Sequence, residues 1–366
     1  MSYRGLTWDH PRGFNALDAA AKATPDLGLT WDKHSLEGFE THPIAELCAD
    51  YDLVVLDHPH VGESVAGDCL VPLEDLFSAD EIAGWQRDCI GPSLKSYHFA
   101  GRHWALPLDA ATQVMATRAD RVATPPTTWD EVLAADYAIV MSLSGPHAIL
   151  SFQSICASLG ERRATVDTDR FVSEAAGLEA LDILQRLSDR SPVALREHNP
   201  IMILQHMCDH DDVALCPLVY GYVNYATRLA FANAPAGRGG IGSTLGGTGI
   251  GISRRCIVTP GLLAHLRWLM SEDAQRAFIP AHDGQPSLRT VWYDEGVNDR
   301  WGNFYKHTAA TLEATYIRPR HDGAIKFQTE ASHILRKGLF SKNNHINILN
   351  GMQSAYGRTR VPGTER

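Results

Sequence analysis

Residues 102–120 read RHWALPLDAATQVMATRAD. Apolar and small residues lie on both sides of Pro107–Asp109, which predicts two strands broken at that point. The pattern repeats upstream. Residues 51–57, YDLVVLD, form a continuous apolar run of strand length, which predicts a strand buried on both faces. Residues 3–8 read as a first strand. The alanine-rich GFNALDAAAKA (13–23), with Leu17 among its apolar positions, has helical character. SADE at 78–81 has the Ser-x-x-Glu pattern of a capping box before a helix with Ile82 and Trp85.

Downstream, ATPPTTWDEVLAA (123–135) puts two prolines before a second capping box, Thr128 with Glu131. YAIVMSLSG (137–145) reads as a buried strand. Leu178, Leu181, Leu184 and Leu187 mark a helix over 173–188, and DVALCPLVYGY (212–222) is strand-like. Strands alternating with helices predict βαβ units and a mostly parallel sheet. The last hundred residues look mainly helical. TPGLLAHLRWLM (259–270) begins with Thr259 as N-cap and Pro260 at the first helical position. HTAATLEATYIRPR (307–320) reads as a helix stopped near Pro319, and 323–340 and 345–356 read as two more.

Composition bounds the function. At 366 residues the chain exceeds one usual core, so two domains of roughly 150 residues each are expected. It is 44% hydrophobic and 21% charged, as globular chains are. A net charge of −10 argues against nucleic acid and anionic membrane surfaces as partners. No window approaches about 18 uninterrupted apolar residues, so membrane insertion is not expected. The N-terminal SYRGLTWDHPRG lacks the regions of a secretory signal. As it stands the sequence reads as cytoplasmic, or as periplasmic if a signal was trimmed. Cysteines 48, 69, 89, 156, 208, 216 and 256 are odd in number and scattered, which suits a reducing compartment.

Asp-His-Pro occurs twice, in LTWDHPRG (6–13) and in LVVLDHPHVG (53–62), each time at the end of an apolar run. Three readings stand. The two carboxylates and up to three imidazoles could hold Zn²⁺ or poise a base near neutral pH. They could be turn chemistry, with Asp accepting backbone N–H bonds and Pro stopping the strand. Or they could hydrogen-bond a polar ligand. In HMCDHDD (206–212), His206 and His210 are four apart, but no second ligand pair sits at zinc spacing, so a solvated helix end is favoured. GRGGIG (237–242) fits a dinucleotide pattern but lacks the flanking strand and helix, and reads as a loop. LGGTG (245–249) allows close approach of backbone to a ligand. Arg318 and Arg320 flank Pro319, where they would either clamp an anion or cap helix carbonyls. No nucleophile elbow, phosphate-binding loop or zinc-protease motif is present.

Six segments together resemble the extracellular solute-binding proteins of ABC transporters, the carbohydrate-binding group: ALPLDAATQVMATRAD, PPTTWDEVLAA, CPLVYGYVNYA, GSTLGGTGIGIS, LRWLMSEDAQRAF and HDGQPS. The resemblance covers about 100–330 and, more loosely, the part before. It implies an α/β fold of the two-lobed periplasmic-binding-protein (Venus flytrap) type, with a ligand clamped in the interlobe cleft by hinge closure. Lobe one is expected over 1–110 with a returning segment near 250–300. Lobe two is expected over 118–240 with C-terminal helices 301–366. Ligands of open α/β sheets sit beyond the carboxyl ends of the strands, so both Asp-His-Pro triplets would lie on the cleft rim.

The expected function is capture of a small polar ligand, most simply a sugar or polyol, with an ABC permease as partner if the protein is exported. Asp9, His10, Asp57, His60, Asp109 and Arg318 are the expected polar contacts. Trp8, Tyr220, Tyr222 and Trp292 are the expected ring contacts. Gly246 and Gly247 are the expected backbone contacts. No cofactor or metal is expected. The alternative is a cytoplasmic enzyme that reuses the fold. There His10, His58 or His60 would act as base beside Asp57, or the set would hold zinc.

Overall fold

A computed structural model of the chain describes residues 2–161 and 170–360. Met1 and 361–366, the outer ends of the expected lobes, lie outside the described residues. Among the described residues, one seven-stranded sheet organises the fold. Its strands are β1 (Tyr3–Trp8), β2 (Leu29–His34), β3 (Leu53–Leu56), β4 (Leu106–Thr117), β5 (Leu215–Tyr220), β6 (Ala230–Ala232) and β7 (Leu245–Ile252). The order is β2-β1-β3-β7-β4-β5, with β6 also on β4.

The first lobe is a parallel unit. β1 pairs with β2 and with β3, setting Gly5 opposite Leu53 and Leu6 opposite Val54. Helices α1 (Pro11–Ala23), α2 (Leu36–Thr41), α3 (Ile44–Asp50) and α4 (Val61–Ala66) follow these strands. β3 is buried on both faces, as its apolar run predicts. Leu53 and Val55 join the main core, and Val54 and Leu56 join a second cluster with Ile44, Val61 and Leu70.

The sheet is mixed rather than mostly parallel. β4 and β7 run between the lobes in opposite directions, so the joins β3–β7, β7–β4 and β4–β5 are all antiparallel. The expected break at Pro107–Asp109 is a bulge inside one continuous strand. Thr248 faces Asp109 and Gly249 faces Pro107, which leaves Leu108 as the extra residue. Residues 137–145 do not form a strand either. Only Ile139 bridges to Leu215, and the Met141 N–H donates to the Ser191 hydroxyl at 3.0 Å. Backbone pairing with β5 stops at Val140, whose N–H donates to the Leu215 carbonyl at 2.9 Å, and a side chain takes over at Met141.

Cap chemistry sets the helix starts. Ser78 with Glu81 and Thr128 with Glu131 form reciprocal capping boxes, and Thr259 caps a helix opened by Pro260. Residues 237–242 are not a plain loop, since 236–237 and 240–241 pair as a tight hairpin. The helix expected over 307–320 ends at Glu313. The chain beyond turns extended because Tyr316 exchanges backbone hydrogen bonds with Ser243 and Leu245. That detour carries Arg318 into the space between the lobes.

Candidate functional site

Parallel β1 and β3 end side by side, so both Asp-His-Pro triplets stand at the carboxyl edge of the first lobe. They do different work. After β1, His10 caps α1, its Nδ1 accepting the Arg12 N–H at 3.2 Å, and Pro11 opens the helix. The His10 ring stacks on Trp8 with centroids 5.2 Å apart. Burial pulls its imidazole down to about 3, with the Arg12 charge adding to the effect. After β3, Asp57 accepts the His58 N–H at 2.8 Å and starts a short turn that delivers His60.

A narrow cavity of about 50 Å³ lies beyond these ends. The first lobe supplies Trp8, Arg12, Phe39, Glu40, Asp57 and His60. The second supplies His147, Leu150, Tyr220 and Tyr222, and β7 contributes Gly246 to Thr248. Arg318 and Gln328 close it from the C-terminal part.

Two buried arginines frame the cavity, and each is neutralised within the protein. Arg12 Nε donates to Asp109 Oδ1 at 2.9 Å, and Nη1 to the Gly221 carbonyl at 3.1 Å. Its guanidinium also lies 5.0 Å from the Tyr222 ring centroid and 5.5 Å from that of Trp8. Burial works against this charge, but Asp109 outweighs it and the Arg12 pKa rises. Arg318 pairs with Asp57 and donates to the Leu245 carbonyl and the Gln328 side chain, both at 3.0 Å. Burial pushes the Asp57 carboxyl up, yet Arg318 and His58 hold it below the usual range. No guanidinium on the cavity wall lacks a carboxylate partner among the described residues.

The other polar side chains on the wall are imidazoles, phenols, an amide, a hydroxyl and the Glu40 carboxylate. Buried His60 and His147 carry ring nitrogens without hydrogen-bond partners. Glu40 lies across the cleft from His147, with Oε1 3.2 Å from Nε2. Burial raises the Tyr220 and Tyr222 phenols, so both stay neutral.

The structure thus brings Trp8, Asp57, His60, Tyr220, Tyr222, Gly246, Gly247 and Arg318 to one cavity. Five expected residues stand elsewhere. Asp9 turns outward and pairs with Lys33 at 2.7 Å. His10 is spent as the helix cap. Asp109 lies behind Arg12 as its counter-charge. Trp292 is core, packed on Phe304 and Tyr305, with its indole N–H donating to the Pro286 carbonyl at 2.7 Å. His58, named for catalysis, has Nδ1 3.0 Å from Asp57, and its Nε2 accepts the Arg318 N–H at 3.2 Å. The two triplets therefore do not merge into one His/Asp cluster. Among the described residues no group of three or more His, Cys, Asp or Glu is placed to hold a metal ion.

Arg12, Glu40, His147 and Gln328 reach the cavity without a signal that reading the sequence used. Arg12 had one available, its place directly after the first Asp-His-Pro. Glu40 and Gln328 sit in helices whose sequences mark only an amphipathic face. Arg320 lies outside the cavity and donates to the carbonyls of Lys95, Ser96 and His98.

No family model matches the chain, and no curated protein matches its sequence. Solved structures do match. An ABC-transporter solute-binding protein from Agrobacterium radiobacter K84, in complex with ribitol, is 19% identical, with a TM-score of 0.80 over 98% of each chain. Maltose-bound MalE3 of T. maritima is 16% identical, with a TM-score of 0.79 over 96% of this chain and 98% of that one. A solute-binding protein from Thermotoga lettingae TMO, bound with α-D-tagatose, is 15% identical, with a TM-score of 0.78 over 97% of this chain and 98% of that one. The likeness extends over nearly the whole length of each, and the chain has the two-lobed periplasmic-binding-protein fold.

Proposed function

We propose that this protein captures a small, uncharged polyhydroxy compound, a single sugar or a sugar alcohol, between its lobes and hands it to an ABC permease. The observation that carries the reading is the charge state of the cavity wall. Arg12 and Arg318 are both held by carboxylates, so an acidic ligand would meet no free cation and would face Glu40. Hydroxyl groups fit what remains, because His60, His147 and Glu40 offer both donors and acceptors. The Trp8 and Tyr222 rings offer apolar faces for C–H surfaces. The ligands named for the three neighbours, ribitol, maltose and tagatose, are all uncharged polyhydroxy molecules. The permease follows from the neighbours' class.

The test is a thermal-shift and calorimetry panel of pentoses, hexoses, their alcohols and the corresponding sugar acids. One neutral compound should raise the melting temperature and bind with 1:1 stoichiometry, and its acid should bind at least about tenfold more weakly, a difference of about 1.4 kcal/mol. Preference for the acid would refute the charge argument. Conversion of the compound during the titration would make the protein an enzyme instead.

A further inference from the structure

Residues 283–286 form a loop held from several sides. The Ala110 N–H of β4 donates to the Gln285 carbonyl at 3.0 Å, and Asp109 pairs with Pro286 as an isolated bridge. Asn15 of α1 donates to Asp283 Oδ2 at 2.8 Å, and the Tyr305 hydroxyl donates to the Gly284 carbonyl at 2.8 Å. Asp283 itself lies in the left-handed region, at φ 64°, which is uncommon outside glycine and needs surrounding contacts to hold it. These restraints aim the Gln285 side chain, which is fully buried. Its Nε2 donates to the Ala110 carbonyl at 3.0 Å, and its Oε1 accepts the Val223 N–H at 2.9 Å. One amide therefore joins the crossing strand to the second lobe directly after Tyr222.

We propose, resting on the ligand-capture reading above, that Gln285 is a positioning residue for the cavity. It sets the place of Gly221 and Tyr222 and stands outside the wall itself. Those two residues carry the contacts at stake. The Gly221 carbonyl accepts Arg12 Nη1 at 3.1 Å, and the Tyr222 ring lies 5.0 Å from the Arg12 guanidinium. The same ring stands edge-on to His10 and Trp8, with centroids 4.8 Å and 5.9 Å away. Upstream, the Gly221 N–H donates to the Thr112 carbonyl at 3.2 Å. Gly221 and Tyr222 thus hang between two anchors on β4, Thr112 directly and Ala110 through Gln285. Val223 and Ala110 are both buried. Without the amide, a buried N–H and a buried carbonyl lose this partner, which costs more than the bonds themselves contribute. Methionine has the length of glutamine but neither bonding atom. Asparagine keeps the amide on a stem one carbon too short to reach both partners.

The full-length protein is labelled with fluorotyrosine, and the Tyr222 fluorine line is assigned with Tyr222→Phe. In Gln285→Met, without ligand, this line should shift or broaden. Leu184→Ala, a core change on the helix Glu174–Arg190, should leave it in place. Calorimetry with ribitol and tagatose then reads the cavity. The compound that binds the wild type should bind Gln285→Met about tenfold more weakly. In a Tyr222→Ala background the same change should cost no more than about twofold, because the ring it places is gone. Gln285→Asn should move both readouts in the same direction, and it serves if the methionine variant folds poorly. An unmoved Tyr222 line in a folded variant would overturn the proposal, as would an undiminished loss of affinity in the Tyr222→Ala background. If neither compound binds the wild type, the ligand reading fails, and the fluorine line still decides whether Gln285 places Tyr222.

Discussion

Arg12 and Arg318 set the character of the site one residue at a time. Each is a buried cation whose partner was drawn from a different part of the chain, Asp109 for one and Asp57 for the other. Removing one member leaves the other buried and alone, so Asp57→Asn should cost about 3–5 kcal/mol by urea unfolding. Trp8 and Trp292 separate site from core. Trp8→Ala should weaken ligand binding by about tenfold or more in calorimetry, the effect of losing an aromatic contact worth about 1.4 kcal/mol. Trp292→Ala should cost about 3–5 kcal/mol of stability and leave the affinity of the folded fraction near wild type. The histidines give a pH test. His10 and His58 are pulled from 6.5 down to about 3 and about 4, mainly by burial. Below pH 6.5 the unfolded chain takes up protons that these folded imidazoles refuse. Their contribution is complete above that pH and is lost as pH falls toward 4, at about 1.4 kcal/mol per unit for each group. The depressed Asp57 acts in the same direction at still lower pH. Urea midpoints should drop between pH 7 and pH 4.5, and His58→Gln should flatten the slope. A flat profile in the wild type would contradict the buried, neutral assignment. The carboxyl-edge position of Asp57 and His60 was legible in the sequence. That His10 would be consumed as a cap was not, because Asp-His-Pro has the same letters in both places. After the proline the two copies diverge, to Arg12 in one and His60 in the other.

At the scale of elements, the glycine run of β7 was legible as a place of close approach, and the structure shows the reason. A Cβ on Gly246 would stand 2.4 Å from the Tyr220 ring, and Gly247 adopts φ 90°. Gly246→Ala should therefore push Tyr220 off its position, costing about 1–3 kcal/mol of stability and weakening ligand binding alongside it. Calorimetry with a melting curve on the same sample checks both. Loss of stability with unchanged affinity would mean that the Tyr220 ring does not shape the cavity. The helices were legible where a cap or a long apolar stripe marked them, as at Ser78, Thr128 and Thr259. Two elements misled for the same physical reason. Residues 137–145 and 314–320 carry local strand or helix signals, but distant partners decide their backbone. Ser191 and Leu215 take the first, and Ser243 and Leu245 take the second. Arg318 reaches the cavity only because of that second capture.

For the whole molecule, length alone pointed to two domains, and the two-lobed plan came from the resemblance of six segments to ABC-transporter solute-binding proteins. The direction of the crossing strands was not legible. A strand that leaves a lobe and one that returns look alike as apolar runs, yet together they make the joins antiparallel. The cavity draws its lining from both lobes, so a ligand held there would touch both. The central claim is that this cavity takes an uncharged polyhydroxy ligand, and one measurement tests it most directly: calorimetric titration of the wild-type protein with ribitol, tagatose and the matching sugar acids at neutral pH, repeated with Glu40→Gln. The account predicts saturable 1:1 binding of a neutral member and weaker binding of its acid. It also predicts that the acid gains relative to the neutral compound in the variant, where the opposing carboxylate is gone. Tighter binding of the acid by the wild-type protein would contradict it.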